Sequence, residues 1–254
     1  MKVKKLASIL GISLLTGLSA LAQEKPGNIS ALEFQTPKNG LVKQYEEGRK
    51  QKAEWHKQQK DTQPLYVWEV VSGEHTGTYI VGRLGQHWVD FDKPSVPEQA
   101  DIDEYNNVIG SSVQSVITQY YEFLSKVSNP GESKPTDKLS EIIVYHVRPG
   151  KDAEFNSALA RAHEAIEKTK WSTAYTWLAL ANGGAAGTYV LILTHKNWSD
   201  FERKPDSKPF LQMLIDAFGT EEADSISKRF DSSIDRVTTE IDKFRPDLSY
   251  LPSK

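Results

Sequence analysis

The sequence predicts an α+β fold built from two tandem copies of one β-α-β-β-α-β unit. Three observations carry that expectation. The stretch "TGTYIVGRLGQHWVDF" at 76–91 returns as "AGTYVLILTHKNWSDF" at 186–201. Between Gly77 and Phe91, six of fifteen positions are identical to the residues 110 further on, among them Tyr79/Tyr189, Trp88/Trp198 and Asp90/Asp200. A period above 100 residues is too long for a solenoid and fits two copies of a small domain. Finally, each copy shows the same alternation of strand-like and helix-like periodicity in the same order.

In each copy a short strand comes first, Ala31 to Gln35 and Glu141 to Val147, and proline and glycine end it. A helix follows, about Leu41 to Gln58 and Asp152 to Lys168. In the second copy Phe155, Leu159, Ala162 and Ile166 recur at helical spacing. In the first copy Leu41, Tyr45, Lys52 and Trp55 form a less clean stripe. Two strands come next, Leu65 to Val71 with Thr78 to Leu84, and Ala174 to Leu180 with Thr188 to His195. The connections "SGEHTG" and "NGGAAG" make each pair a hairpin. Asp90 and Asp200 are candidate N-caps of a second helix, which in copy two runs from roughly Lys208 to Arg236. A last strand closes each unit, Val116 to Leu124 and Val237 to Phe244.

The expected organisation is a leader at 1–22, a first repeat at 23–128, a linker at 129–139 around "PGESKPTDK", and a second repeat at 140–254. The β-α-β-β-α-β order is the ferredoxin-like split βαβ arrangement. Its helices cover one sheet face and leave the other bare. Aligning Tyr66 and Trp68 with Tyr175 and Trp177, strand alternation puts Tyr66, Trp68, Tyr79, Val81 and Arg83 on the bare face of copy one. It puts Tyr175, Trp177, Tyr189, Leu191, Leu193 and His195 on that of copy two. An apolar face of that size needs a partner, and the tethered second copy is the nearest. Two such sheets then close as an eight-stranded intramolecular α+β barrel.

With these residues in place, the chain resembles the dimeric α+β-barrel superfamily, fused in tandem. That superfamily includes the antibiotic-biosynthesis-type monooxygenases and the EthD-like and NIPSNAP-like proteins. The resemblance rests on element order, duplication and the strand–Trp–x–Asp–Phe–helix junction. It implies a barrel fold and carries no catalytic motif.

Composition narrows the chemistry. The chain has 254 residues, 38% hydrophobic, with a formal net charge of −3 and no cysteine. Thiolate catalysis and disulfides are excluded. No basic stripe points to nucleic acid. "MKVKKLASILGISLLTGLSALAQ" has the charged start, apolar middle and Ala-x-Ala end of a secretory signal peptide. The expected mature protein is therefore exported, periplasmic or extracellular, and off the membrane once cleaved. A chain that supplies both halves can stand as a monomer or pair into a homodimer.

The six histidines show no metal-ligand spacing, and no cofactor motif is present. His195 and Tyr189 share the expected barrel interior with Arg83, whose buried guanidinium requires a carboxylate, Glu33 being the expected partner. These three are the candidate catalytic residues. Tyr66, Trp68, Tyr79, Tyr145, Tyr175 and Trp177 are candidates to line a cavity for a flat ligand. His146, alternating with Ile142 and Val144, is expected under the helices, and Trp88 and Trp198 are expected to pack beneath the strand–helix turn. The leading functional expectation is a protein that binds a small hydrophobic or aromatic molecule in a barrel cavity. The alternative is a cofactor-independent monooxygenase or isomerase. A haem protein of the chlorite-dismutase type ranks last, because no proximal-histidine motif is present.

Overall fold

A computed structural model describes residues 26–202 and 208–252. The expected signal peptide lies outside the described residues. The first copy comprises β1 (Ile29–Pro37), α1 (Val42–Gln58), β2 (Tyr66–Ser72), β3 (Tyr79–Gln86), α2 (Glu98–Val108) and β4 (Val113–Phe123). The second comprises β5 (Leu139–Val147), α3 (Asp152–Thr169), β6 (Thr176–Asn182), β7 (Thr188–His195), α4 (Phe210–Phe218), α5 (Thr220–Ser233) and β8 (Ile234–Phe244). The long helix expected near the end of copy two is thus two helices. They part at Gly219, whose φ of 81° breaks the ladder and is open to glycine at little cost. No helix among the described residues is long and apolar enough to cross a membrane.

All eight strands form one closed antiparallel barrel in the order β1-β3-β2-β8-β5-β7-β6-β4. Within each copy the four strands pair among themselves. Between copies, β2 pairs with β8 (Trp68 opposite Phe244) and β4 pairs with β6 (Phe123 opposite Leu178). The edges each half would otherwise expose are hydrogen-bonded to the other half, which removes a hazard of open sheets. The lumen is filled by Leu32, Phe34, Trp68, Val70, Ile80 and Phe244 on one side, and by Tyr121, Ile142, Leu178 and Val190 on the other.

The faces correct part of the sequence reading. Tyr66 and Trp68 do point into the lumen. Tyr79 and Val81, however, pack under the helices of copy one. Tyr145, Tyr175, Trp177, Tyr189, Leu191 and Leu193 pack under those of copy two. The cause is a slip of one residue. Trp68 lies opposite Ile80, while Leu178, not Trp177, lies opposite Val190. The true offset on these strands is 110, and aligning the aromatic pairs imposed 109. A one-residue shift moves every side chain to the other face. His146 is misplaced in the opposite sense: it shares the lumen-side parity of Ile142 and Val144 and bonds Thr188 and Arg236 at the barrel end.

The junction after each hairpin also differs from expectation. Asp90 and Asp200 sit inside short turns and accept from the backbone N–H of His87 and of Lys196 and Asn197, rather than capping a long helix. Trp88 and Trp198 are half exposed, at 53% and 54%. Trp88 leans on Phe91 and Tyr120 instead of entering the core.

Each copy ends in a strap that crosses to the other. After β4, Leu124 N–H donates to Trp177 C=O, Asn129 and Tyr175 exchange backbone bonds, and Ser128 Oγ accepts from Trp177 N–H. After β8 the pattern repeats on copy one. Arg245 N–H donates to Val67 C=O, Tyr250 and Leu65 exchange backbone bonds, and Ser249 Oγ accepts from Val67 N–H. Leu248 is fully buried with Tyr45, Val67 and Tyr79. The segment after β8 therefore completes the core of the first half. Leu248→Ala is expected to cost about 2–5 kcal/mol, whereas Leu251→Ala, at a half-exposed position, stays within about 0.5 kcal/mol. Urea unfolding of both variants measures the difference.

Candidate functional site

The space between helices and sheet differs sharply between the copies. In copy two it is apolar, with Phe155, Leu159, Trp177 and Tyr189 in contact. In copy one the equivalent stripe of α1 reads Tyr45, Arg49, Lys52 and His56, all buried. At an offset of 110 these answer to Phe155, Leu159, Ala162 and Ile166. Facing them, Gln35 and Arg83 stand where copy two has Tyr145 and Leu193, and Asp61 stands where it has Trp171. The close packing of this layer depends on Gly48: a Cβ there would lie 2.1 Å from Val108 C=O on α2.

The polar layer has two ends. At one, His56 Nδ1 lies 2.9 Å from Asp61 Oδ2, and His56 Nε2 lies 3.5 Å from Asp101 Oδ1, neither aligned as a hydrogen bond. Asp61 also receives Arg83 Nη2 at 3.1 Å, Ser95 Oγ at 2.5 Å and Gln63 N–H at 2.9 Å. Burial pushes the Asp61 carboxyl up, but these donors and the Arg83 charge hold it below its usual range. Lys52 Nζ lies 2.6 Å from Asp101 Oδ1. Burial pushes His56 down to about 4, only partly opposed by Asp101 and Asp61 and reinforced by Arg83 and Lys52, so the imidazole is neutral at pH 7.

At the other end, with Arg49 about 10 Å and Tyr45 about 16 Å from His56 along α1 by helical rise, Tyr45 OH donates to Gln35 Oε1 and Gln35 Nε2 donates to Glu33 Oε2. Arg49 is 2% exposed there, and its Nε and Nη2 have no hydrogen-bond partner among the described residues. Burial raises the Tyr45 and Tyr105 hydroxyls, so both stay protonated beside it.

Tyr250 separates this layer from a surface groove. Its ring stacks on His56 with centroids 5.8 Å apart, and its hydroxyl donates to Asp61 C=O at 2.6 Å. Beyond it lies a groove of about 910 Å³ between α1 and the C-terminal strap, lined by Lys50, Glu54, Lys57, Asp61, Ser249 and Tyr250 among others. A groove of about 430 Å³ occupies the corresponding place on copy two, beside His163, Trp171 and Asn129.

Of the three residues expected to act together, Arg83 alone belongs to this layer, and its partner is Asp61 rather than Glu33. His195 stacks on Phe201 at 4.0 Å and lies 3.4 Å from Glu141 on the far half. Tyr189 OH accepts from Asn156 Nδ2 at 3.0 Å. Three strands, β2, β8 and β5, stand between Arg83 and the strand that carries His195 and Tyr189. The six expected ligand-lining aromatics are likewise divided. Tyr66 and Trp68 stack in the lumen, Tyr79 donates to Glu46, and Tyr145, Tyr175 and Trp177 belong to the core of copy two. The lumen side does carry two buried carboxyls, Asp242 and Glu240, and Asp242 Oδ1 is unpartnered among the described residues. Burial first, then Glu240, push the Asp242 carboxyl well up.

No protein-family model matches the sequence, and no curated protein matches it. Solved structures do. A protein from Lactobacillus acidophilus NCFM proposed to be a monooxygenase superposes with a TM-score of 0.53 at 8% identity, over 91% of this chain and 98% of that one. An anthrone oxidase-like protein gives 0.50 at 13% identity, over 88% and 92%. The chlorite dismutase of Candidatus Nitrospira defluvii gives 0.50 at 8%, over 88% and 93%. At such identities the likeness carries the fold and nothing finer. The chain shares the fold of these proteins, an α+β barrel closed from two β-α-β-β-α-β halves on one polypeptide.

Proposed function

We propose that the protein is a cofactor-independent oxidase or oxygenase of an electron-rich aromatic compound, acting in the polar layer of copy one. One observation carries this reading: a neutral histidine is buried among two carboxylates and two paired cations at positions where the sister copy is apolar. Buried charge networks seldom stabilise a fold better than well-packed apolar residues, and copy two holds the same architecture without one. Strongly perturbed groups of this kind concentrate at functional sites. The monooxygenase and anthrone oxidase-like neighbours support the same class.

The chemistry asks little of a protein. An acidic methylene flanked by aromatic rings loses a proton to His56. Asp61 and Asp101 stabilise the imidazolium, in the manner of a carboxylate behind a catalytic histidine. Lys52 and Arg83 offset the charge on the resulting oxyanion. The electron-rich carbon then reacts with dioxygen to give a hydroperoxide, which recovers the proton and loses water. One oxygen atom ends in the new carbonyl and the other in water, so no external reductant is required. Access runs from the groove and needs the Tyr250 ring to leave His56. A haem reading fits poorly. In copy two the space is closed by Phe155 against Tyr189, Phe230 and Trp177 at 4.6, 5.2 and 6.1 Å. In copy one the charged layer occupies it.

Two outcomes test the reading. A histidine whose folded pKa is depressed stabilises the fold above its unfolded value of 6.5. That contribution falls as the pH drops from about 6.5 through about 4. Asp242, shifted up, has the opposite slope above its unfolded value of 3.8, so the difference between parent and His56→Gln isolates the histidine. That difference in unfolding free energy is expected to decrease with falling pH across the window. With 1,8-dihydroxyanthrone, the parent is expected to consume one dioxygen per anthrone, measured with an oxygen electrode, and His56→Gln to slow uptake by about tenfold or more. Uptake no faster than the uncatalysed rate, or unchanged by the substitution, overturns the proposal.

A further inference from the structure

Arg49 plays no part in that chemistry, yet it is the most deeply buried cation of the layer. Its two unpartnered atoms, Nε and Nη2, form one edge of the guanidinium, where two N–H bonds run parallel. That edge matches the two oxygens of a carboxylate in a bidentate pair. Lys52 is held by Asp101 and Arg83 Nη2 by Asp61; Arg83 leaves Nη1 alone unpartnered among the described residues, a single amino group rather than a forked edge. Glu33, the acidic side chain of β1 in this region, accepts from Gln35 and makes no ion pair with Arg49. A buried guanidinium with donors unused carries a desolvation cost. Copy two places Leu159 at the same point of α3, so the fold does not require a cation there.

We propose that the polar layer receives ligands bearing a carboxylate, taken side-on by Arg49 Nε and Nη2, with the hydroxyls of Tyr45 and Tyr105 close by. This rests on the preceding assignment of the layer as the site, and it names the ligand class: aromatic acids, seated with the carboxylate toward Arg49 and the ring toward Lys52 and His56. The spacing of Arg49 and His56, about 10 Å along the helix axis, sets the separation between the bound carboxylate and the imidazole.

Calorimetric titration with benzoate and with benzamide, its neutral isostere, tests the inference on the full chain. Benzoate is expected to bind at least about tenfold more tightly, about 1.4 kcal/mol. Arg49→Met is expected to abolish the preference, and Arg49→Lys to restore only part of it, because a lysine keeps the charge and loses the fork. Thermal melts of both variants establish that they are folded. Equal binding of the two probes, no binding of benzoate, or benzoate binding that survives Arg49→Met each overturns the inference. The two proposals fail separately. Oxygen uptake dependent on His56 without benzoate selectivity removes the carboxylate site alone. Benzoate binding dependent on Arg49 without anthrone oxidation removes the oxidase reading and leaves a binding protein for aromatic acids.

Discussion

The pairing of β2 with β8 and of β6 with β4 is the constraint on which the rest of this molecule depends. A four-stranded β-α-β-β-α-β sheet leaves two edges without hydrogen-bond partners and one apolar face without cover. Each half meets both needs of the other in a single closure. Leu32, Phe34 and Tyr121 of the first half meet Ile142, Leu178 and Val190 of the second around the same lumen. No disulfide contributes, since the chain has no cysteine. The ladder and the lumen supply the cohesion between halves, together with the two straps.

Closure of this kind occupies the bare faces and leaves only the helix-covered faces open to specialisation. The two copies used that freedom differently. Copy two filled its layer with aromatic rings around Phe155 and became an ordinary core. Copy one accepted three cations, three carboxylates and a histidine in the same volume. Such a layer is tolerable because the strand ladders, the lumen and Leu248 hold copy one together from other sides.

Much of the architecture could be read before any coordinates, because it was written twice. The matched Gly-Thr-Tyr and Trp-x-Asp-Phe stretches located both hairpins, and the β-α-β-β-α-β order followed from periodicity. The faces could not be read as reliably. Two Tyr-x-Trp sequences, 66–68 and 175–177, align attractively at the wrong offset, and strand alternation turns that slip into an inversion. The polar layer was missed for a related reason. Arg49, Lys52 and His56 are residues normally assigned to a helix's wet side, so α1 read as a poor amphipathic helix. The available signal was comparative. Carrying the offset of 110 through α1 sets Tyr45, Arg49, Lys52 and His56 against Phe155, Leu159, Ala162 and Ile166, and shows the charged stripe to be on the buried side.

The strap after β8 imposes an order on the maturation of the fold. Leu248 and Tyr250 lie in the core of the first copy, so that copy lacks part of its interior while the ribosome is still at work on the second. Domains commonly fold one after another as they emerge. Here the N-terminal half must wait, partly assembled, for the segment after β8, and His56 gains its aromatic cover only once Tyr250 has emerged.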